Sequence, residues 1–215
     1  MKTSFSKISD LVSFIRSNAS SIQQDTTSAG GLGVNLPYDI KAKEFLHFAE
    51  LDLQAGSKHG FANAVGNIKR SIECQIDTLL YTLGFGDLSK NASWTFPRKL
   101  STLKTLQIVA PRILEKINRR RNSLEHQYQL PPTGDIEDSL DVATLFLAYV
   151  ANFIDRTPNT FSISVGELIV EFTIDSKKQQ IRVDYRPNSK FITKSSESEY
   201  PELLAFVLSL HANYF

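Results

Sequence analysis

The chain is poor in cysteine, and this scarcity excludes one large class of proteins. Cys74 is the single cysteine among 215 residues, so a secreted protein held together by intrachain disulfides is excluded. No segment reaches the roughly 18 consecutive apolar residues that a membrane-spanning helix needs, and residues 1–7 lack the apolar run of a signal peptide. We therefore expect a cytoplasmic protein without a membrane partner.

An excess of charge of either sign is also missing. Lysine and arginine total 24 against 23 aspartate and glutamate, which gives a net charge of +1. A protein that coats nucleic acid non-specifically is usually far more basic, and no recognition-helix pattern indicates a DNA-binding regulator. Any contact with a polyanion must therefore come from a local cluster of basic residues.

Several common site motifs are absent as well. The histidines His47, His59 and His211 are scattered, and no spacing of His, Cys and Asp suggests a metal site. The glycine cluster at residues 30–33 lacks the Gly-Lys-Ser/Thr ending of a phosphate-binding loop. We therefore expect residues 18–38 to form a flexible connector or flap. Cys74 lies in an apolar helical stretch and is more readily interpreted as a small buried hydrophobic residue than as a nucleophile. We expect neither a metal nor a cofactor.

The first three quarters of the chain show helical periodicity. Apolar residues at steps of three and four predict helices at 5–17, 39–55, 60–83, 112–128 and 135–155, and more weakly at 98–109. Residues 87–96 are predicted to form a loop. Asp135 is the expected N-cap of the last long helix. Pro131 and Pro132 separate that helix from the one before it.

The pattern changes after Thr157. Alternation of apolar and polar residues predicts a small antiparallel sheet of three or four strands, and residues 200–213 return to helical spacing. The sequence therefore predicts a mainly α protein, α+β overall, in three segments. These are an N-terminal helix and connector (1–37), a helical bundle (38–156) and a β-rich appendage with a C-terminal helix (157–215).

The densest basic cluster lies on one predicted helix and leads directly to a histidine. A charge run is usually a solvated helix face, but Asn122 and His126 are four residues apart and project from nearly the same face. Arg121 falls on the apolar side with Ile117 and Leu124, where an arginine needs an anionic partner, a cleft or another chain. The cluster consists of Lys116, Arg119, Arg120 and Arg121, with Arg112 one to two turns earlier.

These residue types suit phosphodiester chemistry. A histidine titrates near neutrality and can take a proton from a ribose 2′-hydroxyl or give one to the leaving oxygen. An arginine can stabilise charge on phosphate oxygens. An adjacent amide, here Asn122, can fix the imidazole tautomer or hold a phosphate oxygen.

The segment Arg121-Asn122-Ser123-Leu124-Glu125-His126 resembles the Arg-x(4–6)-His motif of the HEPN superfamily, including the asparagine often found after the arginine. The stretch FLHFAELDLQAGSKHGFANAVGNIKRSIECQIDTLL resembles the first two core helices of such domains, and the resemblance covers about residues 38–156. It implies a helical bundle that dimerises, with two motifs forming one composite, metal-independent endoribonuclease site. A homodimer would complete the site, because this chain carries one motif.

The resemblance also implies roles for individual residues. His126 would act as the general acid and base, Arg121 as the phosphate-binding residue and Asn122 as the orienting residue. Substrate RNA would further contact Arg119, Arg120, Lys116 and Tyr128. The biological setting would be a toxin–antitoxin pair, phage defence or RNA processing, with an antitoxin or other regulatory protein as a further partner. The alternative is a non-catalytic HEPN-like module that binds protein or nucleotide.

Alternatives stay open for several neighbouring residues. Tyr128 could stack on a base, although packing in the core or at an interface is favoured. Glu125 could set the charge of the histidine, although simple exposure is favoured. Of the polar residues Lys69, Arg70 and Glu73 on the second core helix, one could assist the site, and an Arg70–Glu73 pair is the expected structural arrangement. The appendage at 157–215 could extend a dimer interface, bind a partner protein or select the RNA.

Overall fold

The computed structural model of the chain describes residues 4–33, 36–108, 112–185 and 189–214. Within these residues, helices and strands form an α+β fold that is mainly helical, as the sequence predicts. No helix of the described residues has both the length and the apolar character that crossing a membrane requires. We also expect Pro111 to separate the helices predicted at 98–109 and 112–128, and this residue lies outside the described ranges.

In the described ranges, eight α-helices occupy most of the positions that the apolar spacing predicts. The longest, α3, begins where the Ser57 side chain accepts a hydrogen bond from the Gly60 amide at 3.0 Å, a usual N-cap arrangement. Their bounds are α1 Ile8–Ser17, α2 Ala42–Gln54, α3 Lys58–Thr82, α4 Gly86–Asn91, α5 Phe96–Thr105, α6 Arg112–Gln127, α7 Thr133–Arg156 and α8 Tyr200–Tyr214.

Three details of the helix prediction are wrong. Residues 87–96 were expected to be a loop, but they contain most of α4, which is too short to show apolar periodicity. Helix α5 begins two residues before the expected start, because Pro97 lies in its first turn, where a missing N–H costs no hydrogen bond. Asp135 is not the N-cap of α7, since Pro132 occupies that position and Asp135 lies in the first turn.

The helical body is a bundle in which α3 is central. Helix α3 packs along α2 and α7 and also contacts α5 and α6, and eleven of its residues are buried. Gly60 permits the close approach of α2 and α3, because a side chain there would overlap the carbonyl oxygen of Asp52. One continuous apolar core joins this bundle to the rest of the chain.

A five-stranded antiparallel sheet packs beside the bundle. Its strands follow chain order as β1 Ile22–Ala29, β2 Thr160–Val165, β3 Leu168–Asp175, β4 Gln180–Tyr185 and β5 Ser189–Lys194. Alternate residues of β3 are buried, as expected for a sheet with one covered face. The buried face packs against α8, where Phe172 and Phe206 make an edge-on ring contact.

The first strand corrects the prediction for residues 18–38. Residues Ile22–Ala29 are not a connector but pair with β2, from Ile22 opposite Val165 to Ala29 opposite Thr160. The sheet therefore has five strands where three or four were expected. Helix α1 joins the same unit, since the backbone of Phe5 and the hydroxyl of Tyr185 hydrogen-bond to each other. Residues near both ends of the chain thus share one layer.

Helix α8, which packs on the sheet, contacts the end of α3. The Tyr200 hydroxyl donates a hydrogen bond of 2.7 Å to the Leu83 carbonyl oxygen, and the Tyr200 side chain is fully buried. Its ring also packs edge-on against Phe85. Gly84 lies between these residues with φ of +85°, a left-handed conformation that a glycine adopts without strain. The turn after α3 is therefore shaped to receive α8.

Candidate functional site

Helix α6 carries all of the residues of the predicted motif. Its buried face is made by Leu114 and Ile117, and Leu124 packs half-buried against the same core. The helix ends at Gln127, and Tyr128 follows in a left-handed conformation with φ of +57°, a common way for a helix to stop. Arg121, Asn122 and His126 therefore occupy the last two turns of a helix that is half in the core and half in solvent.

His126 lies exposed in the last turn of α6. None of the described residues makes a hydrogen bond or an ion pair with it. Asn122, one turn earlier, projects to the same side, as predicted, but the structure shows no hydrogen bond between the two side chains within the described chain. The imidazole is therefore accessible to an incoming ligand from solvent.

Arg121 projects in a different direction from His126. At about 100° per residue, five positions separate the two side chains by about 140° around the helix axis. The Arg121 guanidinium forms an ion pair with Glu125 and contacts Oδ1 of Asn122 at 3.4 Å, and its side chain is 30% exposed. The anionic partner that an arginine at this position needs thus lies one turn further along the same helix. Glu125 pairs with Arg121 rather than with His126.

The basic cluster divides into two kinds of residue. Arg120 faces helix α7, where it donates to the Ser139 hydroxyl at 2.7 Å and to the Asp135 carbonyl oxygen at 2.9 Å. It also forms an ion pair of 2.7 Å with the Asp135 carboxylate. Its donors are therefore used to fasten α6 to α7, which is a correction to the expectation that Arg120 is a substrate-binding residue.

The other predicted substrate-binding residues are turned to solvent. Arg119 is 65% exposed and its closest counter-charge, Glu115, is 4.0 Å away, so this pair holds the guanidinium weakly. Lys116 is exposed and has no ion pair among the described residues. Tyr128 is 88% exposed, so it does not pack in the core of this chain, and packing at an interface with another chain stays a prediction. An aromatic ring at a left-handed position, almost wholly in solvent, thus follows the histidine by two residues.

The polar residues of the second core helix belong to a separate network on α3 and α5. Lys69 pairs with Glu73, and Lys99 of α5 lies 3.8 Å from Glu73 and 2.6 Å from Asp77. The expected Arg70–Glu73 pair is wrong, because Arg70 donates to the Asn67 side chain at 2.9 Å. No hydrogen bond or ion pair among the described residues joins this network to the motif on α6.

Two titratable groups near that network bear on other chemistry. Burial raises the pKa of the Asp77 carboxyl, although Lys99 acts in the opposite direction. Burial, with Asp77 adding to the effect, also raises the pKa of the Cys74 thiol. A raised pKa leaves little thiolate at neutral pH, so Cys74 is poorly suited to act as a nucleophile. In the part of the chain that the structure describes, no three His, Cys, Asp or Glu residues are grouped to hold a metal ion.

A groove between α5 and α6 begins two turns before the histidine. Its volume is about 760 Å³. Sequence spacing had indicated Arg112 and Arg119 but not the residues that α5 contributes, because only the packing of the two helices brings them together. The groove is lined by Phe96, Pro97, Leu100, Ser101 and Lys104 from α5 and by Arg112, Glu115, Asn118 and Arg119 from α6.

Comparisons with known proteins give no match: no family model, no curated protein and no solved structure is similar to the chain. Membership of the HEPN superfamily therefore stays a prediction from the motif and the helical periodicity of the sequence.

Proposed function

We propose that the chain is a metal-independent endoribonuclease of the HEPN type that acts as a homodimer. The observation that carries this proposal is the exposure of His126, without an intrachain partner among the described residues, on a helix whose neighbouring side chains Arg119 and Lys116 are also turned to solvent. A histidine with no structural bond to maintain is available for proton transfer. The proposed biological setting is a toxin–antitoxin pair, phage defence or RNA processing.

The angle between the two catalytic side chains supports a homodimer. Arg121 and His126 of one chain diverge by about 140°, so one copy cannot direct both at the same phosphate. A two-fold axis beside the end of α6 would bring the two motifs together. The Arg121 guanidinium would then exchange its bond with Glu125 for the phosphate, which also offers charge-assisted acceptors.

The reaction we propose is an internal transesterification. One His126 takes the proton of the ribose 2′-hydroxyl, and the resulting oxygen attacks the adjacent phosphorus. The bond from phosphorus to the 5′-oxygen breaks, and the His126 of the second copy donates a proton to that oxygen. The products are a 2′,3′-cyclic phosphate and a 5′-hydroxyl. Arg121 stabilises the charge that develops on the non-bridging oxygens, and Asn122 orients the imidazole or a phosphate oxygen.

The deciding experiment is cleavage of a labelled RNA in excess EDTA by the wild-type protein and by His126→Ala, purified identically. We expect cleavage that survives chelation, yields 2′,3′-cyclic phosphate ends and is lost in the variant. His59→Ala is the matched control, because His59 is also exposed but lies on α3. Equal cleavage by the wild type and His126→Ala would contradict the proposal.

Mixing the wild type with His126→Ala tests the composite site. If both histidines of a dimer are required, an equal mixture that has exchanged subunits has about a quarter of the activity of wild-type protein at the same total concentration of chains. Independent chains would retain half. The alternative function, a non-catalytic binding module, is supported by the engagement of Arg121 with Glu125. A module that binds protein or nucleotide predicts no RNA cleavage by the wild type or by His126→Ala.

A further inference from the structure

The groove between α5 and α6 combines an apolar floor with a basic rim. Phe96 and Leu100 are buried beneath it, and Pro97 forms part of its exposed wall. Pro97, Leu100, Ser101 and Lys104 fall on one face of α5, because they are spaced at three, four and seven residues. Such a surface can receive a flat apolar group while its charged edge meets an anion.

The charge on the groove is predominantly positive. Lys104, Arg112 and Arg119 contribute three cationic side chains against the single carboxylate of Glu115. Lys104 and Arg112 form no ion pair among the described residues, and the contact of Glu115 with Arg119 is long. The local excess stands out in a chain whose net charge is +1. It favours a ligand with several negative charges.

The groove continues towards the motif along one side of α6. At about 100° per residue, Arg112, Arg119 and His126 project within about 40° of one another. A rise of about 1.5 Å per residue places Arg119 about 10 Å from His126 along the axis. A polyanion that lies over Arg112 and Arg119 would therefore reach the histidine without changing direction.

We propose that the α5–α6 groove binds the single-stranded RNA next to the phosphate that is cleaved. This inference rests on the proposed function and specifies its substrate. The phosphates contact Lys104, Arg112 and Arg119, the bases lie against Pro97 and Leu100, and the Asn118 amide faces the edge of a base. A duplex keeps its bases stacked inside, so it cannot place them on this floor. The groove therefore selects single strands.

The other side of α5 supports this choice of surface. There Lys99 is neutralised by Asp77 and Glu73, and it is largely buried. The guanidinium of Arg98 lies over the Trp94 ring, 5.2 Å from its centre. The cations of α5 that face away from the groove thus have partners within the chain, whereas Lys104 does not among the described residues.

The test measures binding without cleavage. A fluorescein-labelled dodecamer of uridylate is titrated, in EDTA and at several salt concentrations, with His126→Ala and with the same protein carrying Lys104→Gln. Removing one phosphate contact should weaken binding, and it should reduce the slope of the log of the association constant against the log of the salt concentration by about 0.7, the value for one contact with a single strand. Lys43→Gln on α2 is the matched control, because Lys43 is exposed and lies outside the groove. It should leave both the affinity and the slope unchanged.

Three results would overturn the inference. One is equal binding by the Lys104 and Lys43 variants, and another is binding of a blunt duplex as tight as that of the single strand. The third is tight binding of polyglutamate with the same dependence on Lys104, which would indicate an acidic protein as the occupant. Since the binding assay needs no turnover, a failed cleavage assay with a positive binding result would reject the proposed nuclease but leave the groove assigned to single-stranded RNA.

Discussion

Replacing Tyr128 by glycine should weaken RNA binding without lowering the stability of the chain. The side chain is 88% exposed, so removing it costs little packing. Its φ of +57° is strained by about 1 kcal/mol for an L-residue, and glycine relieves that strain. The greater freedom of glycine in the unfolded chain offsets about 0.4–1 kcal/mol of the gain. The free energy of unfolding should therefore stay constant or rise by less than about 1 kcal/mol.

Binding of single-stranded RNA should weaken at the same position. A base stacked on an aromatic ring contributes about 1–3 kcal/mol, which corresponds to a roughly 5- to 150-fold rise in Kd. The assays are urea denaturation and fluorescence anisotropy with the labelled uridylate dodecamer. Tyr128→Phe keeps the ring and should keep the affinity, whereas Tyr128→Asn tolerates the left-handed conformation but should bind as weakly as the glycine variant.

Two outcomes would refute this reasoning. A loss of more than about 1 kcal/mol of stability in Tyr128→Gly would mean that the ring has packing partners, since exposed positions normally change stability by about 0.5 kcal/mol or less. Light scattering would then show whether those partners belong to a second copy, because the mass would fall to that of one chain. Unchanged affinity for RNA would exclude Tyr128 from the binding surface.

Three further predictions concern the framework. Arg120→Met should lower the free energy of unfolding, measured in urea, by about 2 kcal/mol, because it removes charge-assisted hydrogen bonds to α7. Arg119→Met should change it by no more than about 0.5 kcal/mol. Equal losses would contradict the division of the basic cluster. Gly60→Ala should lose about 1–3 kcal/mol, because the new methyl group forces α2 and α3 apart. The matched change Gly134→Ala, with open space around it, should raise the free energy of unfolding by about 0.5–1 kcal/mol and Tm with it. An unchanged Tm in Gly60→Ala would show that α2 and α3 can move apart without cost. Burial lowers the pKa of His211 from its ordinary value of 6.5, so protonation favours the unfolded chain. The wild type should therefore lose stability as the pH falls below about 6.5, and His211→Gln should lose less. Parallel curves of Tm against pH for the two proteins would refute the lowered pKa.

The helices could be predicted because their burial is periodic in the sequence. Helix α3 repeats apolar residues at three- and four-residue steps over its whole length, and α7 does the same. Strand β1 could not be predicted, because Ile22 is its only large apolar residue. Its stability comes from backbone pairing with β2, and a sequence pattern does not show which segment will supply an edge strand.

The helix that carries the candidate site could be predicted from the sequence, but the exposure of its side chains could not. The sequence places Arg121, Asn122 and His126 on one helix, and the structure has them there. The position of α7 decides which of the adjacent residues Arg119 and Arg120 is exposed. Arg120 forms an ion pair with Asp135 and a hydrogen bond with Ser139 of α7. The groove depends in the same way on how α5 packs beside α6, which no spacing within either helix reveals.

The pairing of β1 with β2 has a consequence for the order of folding. About 130 residues of chain separate the two strands, so bringing them together carries a large loop-closure cost and should be late and slow. The helical body between them consists of local contacts and can form first. Until β1 arrives, β2 presents an open edge of unpaired amide and carbonyl groups. Until the two strands pair, this edge is open to association with another chain.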